Sequence, residues 1–324
     1  MPVPTRISVF ISSFNQRAYL EEAIESVLAQ TLPPWEVVVV DDASTDHSQD
    51  LIRGYVAKHP SLIRAYLHPH NLGVATNKAF AQKQVHGDYV TYLDGDDRFL
   101  PHKLEQEWHA LQQRPKAKIA YSNFFFIDAA GNRTDVWHDA ADDDAPTPAE
   151  GDVFEQVFTR SFPRQVVFRN ELVARTVLHS VGPYDTTRRT HEDWDWKLRA
   201  TRRFEAVYCP RPALEYRRHG GGLSQAQQES DRLAEATAVY HNARRLLATM
   251  SPPHRARLDK QVRAKFRQRA ERVLGKMVRE GRRWEALRFF LRFREWLPAR
   301  WVVTILKTAA PTPAVEREGG PPDA

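Results

Sequence analysis

The sequence lacks the features of several large protein classes. One cysteine, Cys209, occurs among 324 residues, so no disulfide can form within the chain and a reducing compartment is indicated. There is no run of about 18 apolar residues, so we expect no membrane-spanning helix. The first ten residues, MPVPTRISVF, lack a basic region followed by a long apolar run, so we also expect no signal peptide. Together these absences favour a cytoplasmic protein.

An excess of positive charge is absent from most of the chain. Residues 1–250 hold 29 Lys and Arg against 33 Asp and Glu, whereas residues 251–310 hold 17 against 5. The formal net charge of +6 therefore reflects one basic segment near the end of the chain. No recognised nucleic-acid-binding motif accompanies this charge, so we expect no nucleic-acid partner.

The basic segment also carries apolar residues at helical spacing. One helical stripe, flanked by Arg288 and Arg292, consists of Leu287, Phe290, Leu291 and Leu297. Such a stripe either packs on the rest of the protein as ordinary core or lies on an anionic membrane surface. The second alternative would make the protein peripheral at the inner face of the membrane.

Strand and helix patterns alternate over the first 115 residues. Strands are predicted at 6–14, 35–42, 61–69 and 88–94, and helices at 18–30, 44–59, 73–85 and 101–113. This alternation predicts an α/β fold with a mainly parallel, Rossmann-like sheet covered by helices on both faces. Later predictions are strands at 117–128, 164–169 and 206–219, a hairpin turn at 128–135 and a helix at 192–203. The chain from 223 onward reads as helical.

Candidate site residues lie at the carboxyl ends of three predicted strands. They are Ser12, Ser13 and Phe14 at the end of the first strand, Asp41 and Asp42 at the end of the second, and Asp94, Asp96 and Asp97 at the end of the fourth. Ligands of open α/β sheets bind at this edge. A divalent cation relieves repulsion between crowded carboxylates, and oxygen ligands favour Mg²⁺ or Mn²⁺ bridged to substrate phosphates. The alternative to such a metal–diphosphate site is a solvated Asp-Gly turn in which the acids cap a helix.

Seven stretches within about residues 6–224 together resemble the family 2 inverting glycosyltransferases, which have the GT-A fold. They are ISVFISSFNQRAYLEEAIESVLAQT, EVVVVDDASTD, NLGVATNKAF, GDYVTYLDGDD, VGPYD, HEDWDWKLR and YRRHGGGLS. The resemblance implies a nucleotide-sugar donor, usually a uridine diphosphate sugar. It also implies that Asp94 contacts the ribose, that Asp96 ligates the metal, and that Asp97 assists. By the same resemblance, Asp42 accepts a hydrogen bond from the base, and Ser12 and Phe14 line the base pocket.

The chain departs from the family at one point. The family often has Pro-x-Tyr-Asn in the first loop, where this chain has Ser12-Ser13-Phe14-Asn15. Phe14 can stack on a base but offers no hydroxyl.

A second acidic pair, Glu192 and Asp193, opens the predicted helix at 192–203. Acids in a first turn favour the helix dipole, and that alone would account for an isolated pair. Sugar transfer with inversion also needs a general base within hydrogen-bond reach of the acceptor hydroxyl. The resemblance gives that role to Asp193, with Glu192 supporting it or the acceptor. His219 is a further candidate for the metal or the diphosphate.

These observations predict a metal-dependent glycosyltransferase of polysaccharide biosynthesis, acting on a glycan or lipid-linked acceptor. We expect a catalytic domain at 1–222, with its nucleotide-binding part at about 1–115 and its acceptor part at about 116–222. A basic helical region at 223–310 and a disordered tail at 311–324 would follow. Two alternatives stay open. One is an inactive glycan-binding or scaffolding protein on the same fold. The other is a sugar nucleotidyltransferase, which would need a Gly-rich loop with a basic residue that SSFNQRAYL lacks.

Overall fold

The computed structural model describes residues 5–222 and 228–307. Contacts divide the chain into two compact units, Met1–Leu258 and Asp259–Ala324. The predicted boundary at residue 222 between a catalytic domain and a helical region stays a prediction, and the predicted disordered tail lies outside the described residues. No helix in the described ranges is both long and apolar enough to cross a bilayer.

The first unit contains one mixed nine-stranded sheet in its described part. Its strands are β1 Ile7–Ser13, β2 Glu36–Asp41, β3 Ile63–Leu67, β4 Tyr89–Asp94, β5 Arg98–Phe99, β6 Ala117–Ile127, β7 Arg133–Val136, β8 Leu172–Ala174 and β9 Glu205–Arg217. Their order is β3-β2-β1-β4-β8-β6-β9-β5, and β7 pairs with β6. The strands β1 to β4 are parallel, as predicted. The rest of the sheet is mixed, because β8 runs antiparallel to both β4 and β6 while β9 runs parallel to β6.

Eleven α-helices accompany the sheet in the described part of the chain. They are α1 Arg17–Leu28, α2 Ser48–Lys58, α3 Val74–Gln84, α4 Lys103–Gln113, α5 Phe154–Thr159, α6 Arg175–Val181, α7 Glu192–Thr201, α8 Glu229–Ala243, α9 Pro252–Arg279, α10 Arg283–Arg292 and α11 Arg300–Lys307. Every residue of β1 and β2 is buried. Continuous apolar strands therefore occupy the centre of the sheet, where both faces are covered.

Strand register brings the predicted site residues to one edge of the sheet. Ser12 of β1 lies opposite Asp94 of β4, and Ser13 lies opposite Asp41 of β2. The three strands are parallel, so their carboxyl ends meet at the same edge. The loops that follow them therefore begin side by side.

The prediction of a strand at 164–169 is wrong. Residues Pro163–Gln165 form a 3₁₀ turn in which Arg164 and Gln165 have positive φ angles of 54° and 55°. Residues 166–169 form no ladder, because the neighbouring strands β4 and β6 pair instead with β8, which begins at Leu172. The apolar run at 166–168 does correspond to burial, since Phe168 is fully buried. Such a run does not reveal whether an extended segment has a pairing partner.

The second unit has a small aromatic core of its own. Phe266 of α9 stacks on Trp296 with ring centroids 5.0 Å apart, and Phe289 of α10 packs on Phe293 at 4.5 Å. Phe290 and Leu297 of the predicted stripe are buried, but Leu291 is 56% exposed. The exposure of Leu291 contradicts the alternative in which the whole stripe is ordinary core, since α10 turns Ala286, Phe289 and Phe290 inward instead.

Candidate active site

Asp94, at the end of β4, is held by two cations. Its Oδ1 lies 2.8 Å from Lys78 Nζ, and its Oδ2 accepts a hydrogen bond of 3.0 Å from the Arg169 guanidinium. Burial favours the neutral carboxyl, yet Lys78 and Arg169 hold the pKa of Asp94 below its usual value. Asp94 is therefore ionised at neutral pH, and its carboxylate is fixed at the edge of the sheet.

Asp96 and His219 form a partly exposed pair at the same edge. His219 Nε2 lies 3.0 Å from Asp96 Oδ2, and the two side chains are 11% and 17% exposed. The turn that carries Asp96 is fixed by Arg217, whose Nε donates a 2.8 Å hydrogen bond to the Asp96 carbonyl. Arg218 points the other way, with its guanidinium 3.7 Å from the ring centroid of Phe126. The two arginines thus lie on opposite faces of the strand, as the alternation of side chains along a strand requires.

Asp97 is buried beneath this turn. Its Oδ1 accepts a 2.8 Å hydrogen bond from the backbone N–H of Arg217, and its Oδ2 lies 3.9 Å from the Arg169 guanidinium. That Oδ2 has no hydrogen-bond partner among the described residues. Burial and the neighbouring Asp96 raise the pKa of Asp97 well above its usual value. Asp97 joins the loop after β4 to the end of β9.

Asp42 holds the loop that leads into α3. Its Oδ1 and Oδ2 accept hydrogen bonds of 2.7 and 2.8 Å from the backbone N–H groups of Leu72 and Gly73. Gly73 has a φ of +88°, in the left-handed region that favours glycine. Each carboxylate oxygen has a second lone pair, so the predicted hydrogen bond from a base to Asp42 stays a prediction.

Ser12 and Phe14 lie at the end of β1. The Ser12 hydroxyl is buried and accepts a 3.0 Å hydrogen bond from Asn77 Nδ2, whereas Phe14 is 45% exposed. Phe14 is therefore available to a planar ligand, and Ser12 is already engaged with α3.

Glu192 and Asp193 begin α7, as predicted, but they occupy different environments. Glu192 is buried, and its Oε1 lies 3.3 Å from Lys78 Nζ. Asp193 is 27% exposed, and its Oδ2 lies 3.3 Å from Lys197 Nζ one turn along the helix. Trp194, next along the chain, faces the core and donates an indole hydrogen bond of 2.8 Å to the carbonyl of Val157.

The two environments move the two carboxyl pKa values apart. Burial raises the pKa of Glu192 above its usual value despite the attraction of Lys78. For Asp193, burial acts in the same direction, but Lys197, Arg169 and Lys78 outweigh it and lower the pKa. A pair of neighbouring acids whose pKa values diverge is typical of sites where the two groups have different chemical roles.

Lys197 is a buried cation that contacts several side chains of the site. Its side chain is 1% exposed, and its Nζ lies 3.5 Å from Glu171 Oε2 and 3.4 Å from the Tyr92 hydroxyl, in addition to its contact with Asp193. A buried ammonium with several polar partners fixes their geometry, because releasing any one of them leaves a charge unsatisfied.

Sequence reasoning missed three cations that organise the site. Lys78 and Asn77 belong to the predicted helix at 73–85, and the structure excludes a surface position for either because both are at least 96% buried. The available signal was their position among the small residues Ala75, Ala79 and Ala81, which allow a helix to be buried on most of its circumference. Lys197 stands four residues after Asp193, a spacing that places both on one helix face. No sequence feature identified Arg169 as a site residue, because its segment, 164–169, was predicted to be a strand.

Comparison with known proteins places the chain in a family. The family model described as Glycosyl transferase family 2 matches residues 8–169, half of the chain. A putative teichuronic acid biosynthesis glycosyltransferase of Bacillus subtilis, TuaG, is 38% identical over 109 residues, which are 33% of this chain and 42% of TuaG. An uncharacterised protein of Mycobacterium tuberculosis is 28% identical over 224 residues, 67% of this chain and 60% of that protein. The chain thus spans less than two thirds of either relative.

Two solved structures share the fold at low sequence identity. Staphylococcus aureus TarS 1–349 in complex with UDP-GlcNAc has a TM-score of 0.59 at 18% identity, over 82% of this chain and 73% of that one. The mannosyltransferase PcManGT of Pyrobaculum calidifontis, in complex with GDP-Man and Mn²⁺, has a TM-score of 0.59 at 15% identity, over 95% and 86%. The predicted GT-A type of α/β fold, with helices following it, is confirmed. With the family model covering half of its length, the chain belongs to glycosyl transferase family 2.

Proposed function

We propose that this protein is an inverting, metal-dependent glycosyltransferase. It would transfer one sugar from a nucleotide-sugar, most simply a uridine diphosphate sugar, to a hydroxyl of a glycan or lipid-linked acceptor. TarS, whose fold this chain shares, is seen with UDP-GlcNAc, and PcManGT is seen with GDP-Man. The family membership supports the reaction class, and the arrangement of charged side chains supports the assignment of roles.

One observation carries the proposal. The Lys78 ammonium lies 2.8 Å from Asp94 and 3.3 Å from Glu192, residues of two acidic motifs that are about a hundred positions apart. The motif assigned to the donor and the motif assigned to the acceptor therefore share one counter-ion. Donor and acceptor groups have to meet at bonding distance for transfer, and the shared contact with Lys78 supports the proposal because it brings the two motifs together.

On the donor side, Asp94 would accept hydrogen bonds from the ribose hydroxyls, because it is ionised and held rigidly by Lys78 and Arg169. Phe14 would stack on the base, with Asp42 and Ser12 beside it. Rigid placement of these groups lowers the entropy cost of holding the donor.

The residues present fit a divalent cation. Asp96 Oδ2 and His219 Nε2 lie 3.0 Å apart, which matches the separation of adjacent ligands around a cation with bonds of about 2.1 Å. The described residues contain no cluster of three or more His, Cys, Asp or Glu suited to a metal. A site with one or two protein ligands, completed by substrate phosphates and water, is the usual arrangement for Mg²⁺. Bound Mg²⁺ or Mn²⁺ would neutralise the charge that develops on the departing diphosphate.

On the acceptor side, Asp193 would be the general base. The acceptor oxygen attacks the anomeric carbon from the face opposite the diphosphate, the bond from that carbon to the diphosphate breaks, and the hydroxyl proton passes to Asp193. The hydroxyl becomes strongly acidic as its oxygen bonds to carbon, so a carboxylate of low pKa can take the proton at that stage. Glu192, buried against Lys78, would position the start of α7 rather than exchange protons.

Two measurements test the proposal. A thermal-shift panel of UDP, GDP, CDP and dTDP, with and without Mn²⁺, identifies the base, because specific binding stabilises in proportion to the logarithm of ligand over its dissociation constant. We expect one nucleotide to raise Tm, and to raise it further with Mn²⁺. Asp193→Asn should bind that nucleotide as the wild type does but transfer or hydrolyse the sugar at least about 10²-fold more slowly, as expected for loss of a general base.

Glu192→Gln is the matched control, since it removes the neighbouring carboxylate and keeps the shape. It should retain more activity than Asp193→Asn at equal protein concentration. Transfer by Asp193→Asn within threefold of wild type would remove Asp193 from its assigned role. No turnover and no metal-dependent binding with any nucleotide-sugar would instead favour the inactive scaffold.

A further inference from the structure

Exposed large apolar side chains are concentrated in the second unit. Seven occur in the part of the chain that the structure describes, and four of these lie in α10 and α11: Trp284, Leu291, Val303 and Leu306, each between 51% and 71% exposed. Two of the other three, Phe14 and Leu72, lie in the loops around the proposed donor pocket. Trp35, the third, lies in the first unit with the Arg6 guanidinium 5.2 Å from its ring centroid. Single exposed apolar residues are ordinary, but a group of four indicates an interaction surface.

The four side chains lie on the outward sides of their helices. Trp284, Arg288 and Leu291 are spaced by four and three residues, so they share one side of α10. Val303 and Leu306 share one side of α11 for the same reason, and α11 packs on α10. These five residues are called the outer face below.

Positive charge predominates on the surface of the second unit, to which the outer face belongs. In the described part of the second unit, eleven Lys and Arg are exposed against three exposed Glu. The exposed basic residues are Lys260, Arg263, Arg267, Arg272, Lys276, Arg279, Arg282, Arg288, Arg292, Arg294 and Arg300. Several of them form ion pairs with acidic side chains of this unit, and the excess of basic over acidic residues leaves the unit strongly positive overall.

An anionic lipid surface fits both properties of the outer face. Trp and Leu side chains reach the boundary between headgroups and acyl chains, while Arg side chains extend their charge to lipid phosphates. A second copy of the chain would bring two positive surfaces together, and a nucleic acid would use the charge but not the apolar side chains. We propose that the outer face binds an anionic membrane surface and thereby holds the protein at the bilayer.

The experiment is vesicle flotation with the full-length protein and no sugar donor. Vesicles of phosphatidylcholine alone are compared with vesicles of phosphatidylcholine and phosphatidylglycerol. We expect binding to the anionic vesicles only, and weaker binding as salt concentration rises, because screening shortens the reach of surface charges. The double variant Trp284→Ser, Leu291→Ser should bind at least tenfold more weakly, about 1.4 kcal/mol.

Matched control variants distinguish vesicle binding through the outer face from nonspecific binding elsewhere on the protein. Trp35→Ser removes an exposed tryptophan of the first unit and should leave binding unchanged. Arg288→Gln should weaken binding, whereas Lys116→Gln, an exposed cation of the first unit, should not. The substituted positions all lie at the protein surface, so circular dichroism should report wild-type folding for each variant. They are Trp35, Lys116, Trp284, Arg288 and Leu291.

Three outcomes would overturn the proposal. The first is no flotation with anionic vesicles at low salt, and the second is equal flotation of wild type and the Trp284–Leu291 double variant. The third is a dimer in light scattering that the double variant converts to a monomer, with no vesicle binding by either form, which would identify a second copy as the occupant. None of these measurements involves sugar transfer, so failure here leaves the proposed activity untouched.

Discussion

Replacing Lys78 by methionine tests the shared counter-ion of the site. Lys78 is 4% exposed and contacts Asp94 and Glu192, and its Nζ also lies 4.8 Å from the ring centroid of Tyr92. Methionine fills a similar volume and removes the charge. Asp94 keeps its hydrogen bond with Arg169, so Glu192 becomes the carboxyl left buried without a cation.

Two limits set the expected loss of folding free energy in Lys78→Met. Removing one partner of a buried ion pair typically costs about 3–5 kcal/mol. The variant can instead protonate Glu192, and protonating a glutamate of ordinary pKa, about 4.3, costs about 3.7 kcal/mol at pH 7 and about 1 kcal/mol at pH 5. The loss of stability should therefore be about 3–4 kcal/mol at pH 7 and about 1 kcal/mol at pH 5.

The sign of the pH dependence follows from linkage. The pKa of Glu192 is already raised in the folded protein, and loss of Lys78 raises it further. A carboxyl whose pKa is raised by folding favours the folded state below its unfolded pKa, and that contribution is lost as pH rises through the folded pKa. The stability difference between wild type and variant should therefore grow from pH 5 to pH 8.

Urea denaturation followed by tryptophan fluorescence at pH 5, 6, 7 and 8 measures this difference. Lys83→Met is the matched control, because Lys83 is exposed on the same helix, and it should change stability by less than about 0.5 kcal/mol at every pH. A loss below about 1 kcal/mol at pH 7 for Lys78→Met, with no trend in pH, would refute the shared counter-ion. Adding Glu192→Gln to Lys78→Met should recover part of the loss and flatten the trend.

Two further predictions concern the metal and the backbone. Asp96→Asn should abolish the additional Mn²⁺-dependent rise in Tm with nucleotide, and His219→Ala should weaken it; a full Mn²⁺ effect in Asp96→Asn would contradict the ligand assignment. Gly87→Ala should destabilise the protein by about 1–3 kcal/mol, because its Cβ would stand 2.6–2.7 Å from atoms of Arg6 and Ser8. Gly54→Ala, in helix α2, has no atom within 4 Å of the added Cβ and should stabilise the protein by about 0.5–1 kcal/mol. Urea denaturation measures the stability of both variants. A Gly87→Ala variant as stable as the wild type would show that the backbone at Gly87 can shift to accommodate a Cβ.

The family resemblance and the alternation of apolar runs predicted most of the catalytic-side architecture. Strands β1 to β4 and the helices between them lie where the patterns place them, because a continuous apolar run such as that of β2 can be satisfied only in the covered centre of a sheet. The segment 164–169 was wrongly predicted as a strand, because a buried extended backbone and a paired strand can carry the same run of apolar residues. The residue that joins Asp94 to Glu192 was also missed, since a buried lysine has no sequence signature of its own.

The sequence by itself determined the class of fold, the family and the acids at the strand ends. The carboxyl ends of parallel strands all lie at one edge of the sheet. The alternation of strands and helices in the sequence therefore already implied that Asp42, Asp94 and Asp96 lie close together. The tertiary structure alone decided which cations balance those acids. Lys78 and Glu192 are 114 positions apart, and such pairs leave no periodic pattern in the chain. Their meeting depends on how α3 and α7 pack at the sheet edge, and that packing fixes which carboxyl stays ionised.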